Sequence, residues 1–153
     1  MFKKISLIFV LALLMSGISV KPVKARAILV RVPANVEWVD SGIDVEAGET
    51  YSFKTKGKAI TGPLNVFPDA KSGPGGQATL CGVDGGAVPG QTCVLFGAPF
   101  GALIGKIGIG GPPFLIGGAS SFVFGSSGRL YLAVNDFTGT YFDNHAGFTV
   151  IFK

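Results

Sequence analysis

Arg129-Leu130-Tyr131-Leu132-Ala133-Val134 and Phe148-Thr149-Val150-Ile151-Phe152 each place large apolar residues at every second position. That period of two is the mark of a strand with one buried face, and it sets the fold class. Working outward, Thr50-Tyr51-Ser52-Phe53-Lys54-Thr55-Lys56 alternates aromatic with polar side chains. Ala27 to Val32 and, after Pro33, Val36 to Val45 are further β-rich runs. Gly, Pro, Asn and Asp punctuate the series, and no stretch has a helical period. Short strands with polar turns predict an antiparallel sandwich or barrel.

Val94 to Gly125 is apolar and carries Lys106 as its one charge. A transmembrane helix is rejected here, because Gly97, Gly101, Gly105, Gly108, Gly110, Gly111 and the pair Pro112-Pro113 divide the segment into pieces too short to cross a bilayer. Buried strands such as Gly101 to Ile107 fit it better, so no stable membrane insertion is expected. Trp38 is expected to share a strand face with Val36 and to pack in the core. Lys54, Lys56 and Lys58 are expected to keep a strand edge soluble.

At the N-terminus Lys3 and Lys4 precede an apolar stretch from Ile5 to Val20, followed by Val23-Lys24-Ala25. This is the layout of a secretory signal peptide over residues 1–25, leaving one domain over 26–153 of about 128 residues and a secreted, periplasmic or extracellular location. The whole chain has 13 basic and 9 acidic residues. Removing Lys3, Lys4, Lys21 and Lys24 balances them, so nothing in the charge points to nucleic acid. Cys81 and Cys93 flank a Gly/Pro-rich run, and in an oxidising compartment they are expected to pair. So short a loop gains roughly 3 kcal/mol from closure in the chain-entropy picture.

Enzyme signatures fail one by one. Gly101 to Ile107 has one residue too few between its glycines for a phosphate loop, and Ile107 stands where Ser or Thr is needed. A single histidine, His145, excludes a two-histidine zinc site. No Gly-x-Ser-x-Gly elbow accompanies it, and a solvated loop is its expected setting. Between the two opening strands, however, Val134-Asn135-Asp136-Phe137-Thr138-Gly139-Thr140-Tyr141-Phe142-Asp143-Asn144 sets two carboxylates and two amides around a glycine turn. Such oxygens suit a hard cation, and the loop is long enough to bring Asp136, Asp143 and Asn144 to one calcium ion. Asp and Asn also commonly bond their own backbone in turns, which is the simpler reading. A glycosidase using Asp136 and Asp143 is a weaker third, since acid catalysis needs a carboxyl in an apolar pocket.

Phe100 to Gly108, Gly128 to Asp136, Gly139 to Asn144 and Gly147 to Val150 resemble the PA-IL-type galactophilic lectins of bacteria, with Trp38 to Ile43, Val45 to Glu49 and Thr61-Gly62-Pro63 fitting in order upstream. The resemblance implies a small jelly-roll β-sandwich, galactose-binding-domain-like, with one calcium ion near one end. It implies side-chain ligands at Asp136, Asp143 and Asn144, and main-chain carbonyl ligands at Thr140 and Thr61. Galactose or another hexose would complete the calcium sphere with two ring hydroxyls, oriented by Asp136, Asp143, Thr140 and the Phe137 carbonyl. In that family a His and a Gln from the loop before the Gly-Ala-Leu strand also reach the sugar. Residues 73–99 contain no histidine, and their glutamines are Gln77 and Gln91.

The expectation is therefore a non-enzymatic, calcium-dependent carbohydrate-binding protein. The alternative is a structural or adhesion module in which calcium only fixes the loop. The strand pattern identifies no oligomer edge, and a homo-oligomer is compatible with either reading.

Overall fold

The computed structural model describes residues 26–62, 71–83 and 90–153. The expected signal peptide lies outside them, as does Pro63. The described residues form nine strands in two antiparallel sheets and no α-helix. The strands are β1 (Ile28–Pro33), β2 (Val39–Val45), β3 (Thr50–Ile60), β4 (Lys71–Ser72), β5 (Leu103–Ile107), β6 (Phe114–Leu115), β7 (Ser121–Val123), β8 (Gly128–Val134) and β9 (His145–Phe152). One sheet runs β1-β9-β3-β4, with β7 pairing the other end of β3; the second runs β2-β8-β5-β6.

The alternation seen in the sequence is what lets the sheets face each other. Val30 and Val32 of β1, Phe53 of β3, and Phe148, Val150 and Phe152 of β9 are buried against Ile43 and Val45 of β2, Leu103 of β5, and Leu130, Leu132 and Val134 of β8. A one-residue slip in β8 would expose all three of its core residues, so burial fixes the register. Phe53 and Phe152 pair across β3 and β9 with ring centroids 5.4 Å apart. Phe114, Phe122 and Phe124 close the core where β6 and β7 form short edges.

In β2 the pairing with β8 shifts between Asp40 and Asp44. Gly42 adopts φ 71°, its N–H donates to the Asp40 carboxylate at 2.8 Å, and Arg129 spans Asp40 and Asp44. The bulge keeps Ser41 and Ile43 buried, with the Ser41 hydroxyl donating to the Leu130 carbonyl at 2.7 Å.

Two expectations about exposed positions meet different outcomes. Lys54, Lys56 and Lys58 are exposed on the part of β3 between its short pairings with β7 and β4, as expected for a guarded edge. Trp38 is not in the core. The chain turns after β1, with the Val36 N–H bonded to the Pro33 carbonyl, and β2 begins only at Val39. Val36 is therefore exposed, and Trp38 lies half-buried with the Lys106 ammonium 4.3 Å from its ring centroid.

Backbone conformation at the start of β9 gives a paired prediction. Ala146 has φ 59°, the left-handed region that an L side chain occupies only at a cost, whereas the next residue, Gly147, has φ 142° in a place where a Cβ would strike the Val32 carbonyl oxygen. Gly147→Ala is expected to destabilise by roughly 2–4 kcal/mol. Ala146→Gly is expected to be neutral or to stabilise by up to about 1 kcal/mol. Urea unfolding of the two variants reads both signs.

Candidate functional site

The site lies where several strands end together. β8 leaves the second sheet at Val134, the loop 135–144 crosses the end of the sandwich, and β9 enters the first sheet at His145. β1 ends beside it at Pro33 and β3 at Ile60, so Ala34 and Thr61 reach the same region.

Asp136 and Asn144 are both buried here and directly bonded, the Asn144 Nδ2 donating to Asp136 Oδ2 at 2.6 Å. The same Nδ2 donates to the Ala34 carbonyl at 3.1 Å, and Oδ1 accepts the Gly62 N–H at 2.8 Å. Asn144 thus ties together the ends of β1, β3 and β8. Asp136 Oδ1 accepts the Phe137 N–H at 2.7 Å. Asn144 Oδ1 has a lone pair left after the Gly62 bond.

Burial raises the proton affinity of Asp136 above that of an ordinary carboxylate. The bonds from Asn144 and Phe137 oppose the rise, and the charge of Asp143 adds to it. The ion pairs among the described residues join Arg129 to Asp40 and Asp44, and none reaches Asp136. A buried carboxylate, a second one near enough to repel it and no basic partner make a donor set that fits a divalent cation. Among the described residues no group of three or more His, Cys, Asp or Glu side chains gathers, so such a cation would depend on amide and main-chain oxygens.

The loop is closed by its own bonds. The Phe137 carbonyl accepts both the Thr140 N–H at 3.3 Å and its hydroxyl at 3.0 Å. Tyr141 to Asp143 make one 3-10 turn, in which Asp143 N–H points to the Thr140 carbonyl and Asn144 N–H to the Tyr141 carbonyl. Tyr141 is buried, and its hydroxyl donates to the Val134 carbonyl at 2.8 Å. Burial, followed by the nearby Asp136 charge, pushes that hydroxyl's acidity well below a free tyrosine's. Asp143 is half-buried and His145 exposed.

Beneath the loop sits a second small core of Cys81, Cys93, Phe137 and Phe100. The cysteines form the expected disulfide, with Cα atoms 5.9 Å apart. Cys93 pairs with Phe137 in an isolated bridge, Val94 N–H bonds the Asp136 carbonyl, and Thr138 N–H bonds the Thr92 carbonyl. The disulfide segment therefore runs alongside residues 136–138.

Two residues at this end were not assigned from the sequence. Asn135 is fully buried, and its amide accepts the Leu95 N–H and donates to the Leu95 and Pro99 carbonyls. Its partners are main-chain groups with no sequence signal. Gln77 could not be placed beforehand; its Nε2 lies 3.4 Å from the Thr61 hydroxyl, and its N–H bonds the Phe100 carbonyl. Gln91 is exposed. An apolar groove of about 310 Å³, lined by Ile107, Pro112, Phe114, Phe122 and Val123, lies near the opposite end of β8, where Leu130 pairs with Ile107.

No family model and no curated protein matches this chain. Among solved structures it is similar to the EclA N-terminal domain, described as a PllA-like lectin, at 21% identity and a TM-score of 0.56, over 81% of this chain and 92% of that one. At that identity the likeness is one of fold, and the fold is that of a lectin β-sandwich domain.

Proposed function

We propose that this chain is a secreted, calcium-dependent carbohydrate-binding protein whose site is the end of the sandwich around Asp136. The observation that carries the reading is the buried Asp136 carboxylate, which has no basic partner among the described residues. The ion would be held by Asp136, Asp143 and Asn144 and by the main-chain carbonyls of Thr140 and Thr61, and when bound it would supply a positive centre for two adjacent sugar hydroxyls. The chain's own groups do the orienting. Asp136 and Asp143 would accept hydrogen bonds from the sugar hydroxyls. A sugar hydroxyl donating to the Phe137 carbonyl would displace the Thr140 hydroxyl now bonded there. The fold shared with a described lectin and the disulfide, at home in an oxidising compartment, are in keeping with the proposal.

A second reading has its own observation. Asp136 and Asn144 already knit three strand ends together through internal bonds, so a cation there could serve only to brace a structural module. Columns of immobilised galactose, glucose and mannose separate the two. Retention in calcium on one of them, release by EDTA and loss of retention in Asp143→Ala are expected. No retention on any column while calcium still stabilises the protein would favour the structural module. Release of a chromogenic aglycone would instead reveal a glycosidase.

A further inference from the structure

We infer that the outer face of the first sheet, carried by β1, β9, β3 and β4, is a docking surface for an acidic polysaccharide, a linear sugar polymer bearing carboxylate or sulfate groups. This face is distinct from the Asp136 end, and the inference depends neither on calcium nor on the reading above.

Charge is divided unequally between the two sheets. The second sheet carries Asp40, Asp44, Lys106 and Arg129, two of each sign, and Arg129 is paired with both aspartates. The strands of the first sheet carry Arg31, Lys54, Lys56, Lys58 and Lys71 and no Asp or Glu. All five cations are exposed, and among the described residues none of them enters an ion pair.

The pairing register sets these cations on one face. Val30 and Val32 of β1, Phe53 and Ala59 of β3 and Ser72 of β4 are buried, and the five cations alternate with them. Arg31 and Lys56 pair with Thr149 of β9 from opposite sides, which puts their Cα atoms about 10 Å apart across the sheet. Lys54, Lys56 and Lys58 follow one another at about 7 Å along β3, and Lys71 pairs with Ile60, the next outward position. Guarding the free part of β3 accounts for a lysine there but not for this grid, since Arg31 and Lys71 lie on other strands. Like charges set side by side repel, and no acid stands on these strands to relieve them. A polyanion does so, its repeated charges meeting the repeated charges of β3.

The neutral groups select among polyanions. No Phe, Tyr or Trp occupies an outward position of β1, β3, β4 or β9, so the face offers neither a ring for a nucleic-acid base to stack on nor an aromatic anchor for a bilayer. Ser52 and Thr149 instead set hydroxyls among the cations, able to bond the hydroxyls of a sugar chain.

Calorimetric titration in EDTA at low salt with heparin, which is sulfated, and with polygalacturonate, which is carboxylated, tests this. Binding to at least one is expected, and it should vanish at about 1 M salt, where the screening length of about 3 Å is shorter than the cation spacing. The triple variant Lys54→Gln, Lys56→Gln, Lys58→Gln should bind at least about tenfold more weakly, whereas arginine at the same three positions should retain the affinity. Lys106→Gln, on the other sheet, should change it by less than about twofold. Because the three lysines are exposed, thermal melts of the variants are expected to match the wild type. Absence of binding to both polymers at low salt overturns the inference, as does binding that survives the triple Gln variant. A loss as large in Lys106→Gln would reduce the effect to net charge and overturn it too. Tighter binding to phosphatidylglycerol vesicles or duplex DNA than to either polysaccharide would make the partner a membrane or a nucleic acid instead. None of these outcomes bears on the Asp136 site, which is read in calcium on neutral sugars.

Discussion

Calcium at about a hundredfold excess over its dissociation constant is expected to stabilise the protein by about 2.7 kcal/mol, raising the melting temperature by roughly 10 °C over EDTA. The cause is the buried Asp136, whose charge has no basic partner among the described residues and is repelled by Asp143. Because its folded-state proton affinity is raised, the calcium-free fold is favoured by this group below the ordinary carboxylate range. That contribution is lost as pH climbs through the raised value. A cation competes with the same proton. The increment due to calcium should therefore be small below the ordinary carboxylate range and reach its full size above the raised value. Comparing melts with calcium and with EDTA at each pH cancels the titration of Asp40 and Asp44. The bond from Gly42 chiefly holds the first of these low, and Arg129 the second. Asp136→Ala should abolish the increment. Asp143→Ala should reduce it with less disturbance of the fold, since that side chain is half-buried. An increment that persists in Asp136→Ala would place the ion elsewhere, and none in the wild type would leave the likeness to lectins one of fold alone.

What could be read in the sequence follows from how local each signal was. β8 and β9 were legible because alternation over six or seven residues has only one buried solution. β3 extends beyond Lys56 to Ile60 because β9 pairs it from Phe53 to Ile60, and that partner is some ninety residues away. β6 and β7 are two and three residues long within a glycine-rich run, too short to carry a period. Trp38 was misplaced by counting from Val36 as though the strand were continuous, when the turn after Pro33 delays β2 to Val39. At the candidate site the convergence of Asp136 with Asn144 was legible as polar residues spaced around a turn. Ala34 and Gly62 could not be found in that way, since they act through main-chain groups brought in by β1 and β3. Asn135 passed for an ordinary turn residue beside more acidic neighbours.

Asn135→Ala is the second large effect expected, a loss of about 3 kcal/mol on unfolding. The substitution removes an amide that is fully buried, leaving the Leu95 N–H without its acceptor and taking from the Leu95 and Pro99 carbonyls one of their two donors, the Ala98 and Ala102 N–H groups remaining. The disulfide acts on the same segment from its other side, and Cys81→Ser with Cys93→Ser should cost a similar amount, roughly 3 kcal/mol. The two losses should not add. Once the disulfide is gone, residues 92–95 are freer to leave the 136–138 loop, and part of what Asn135 held is already lost. A double-mutant cycle by urea unfolding is expected to fall short of the sum by about 1 kcal/mol. Both changes should also weaken calcium, because Val94 bonds the Asp136 carbonyl and Cys93 pairs with Phe137. Strict additivity with calcium affinity unchanged would mean that the disulfide segment and the Asp136 loop are independent supports. Coupling in stability together with a weaker calcium shift would mean that the small core of Cys81, Cys93, Phe100 and Phe137 is the foundation on which the ligand oxygens are set.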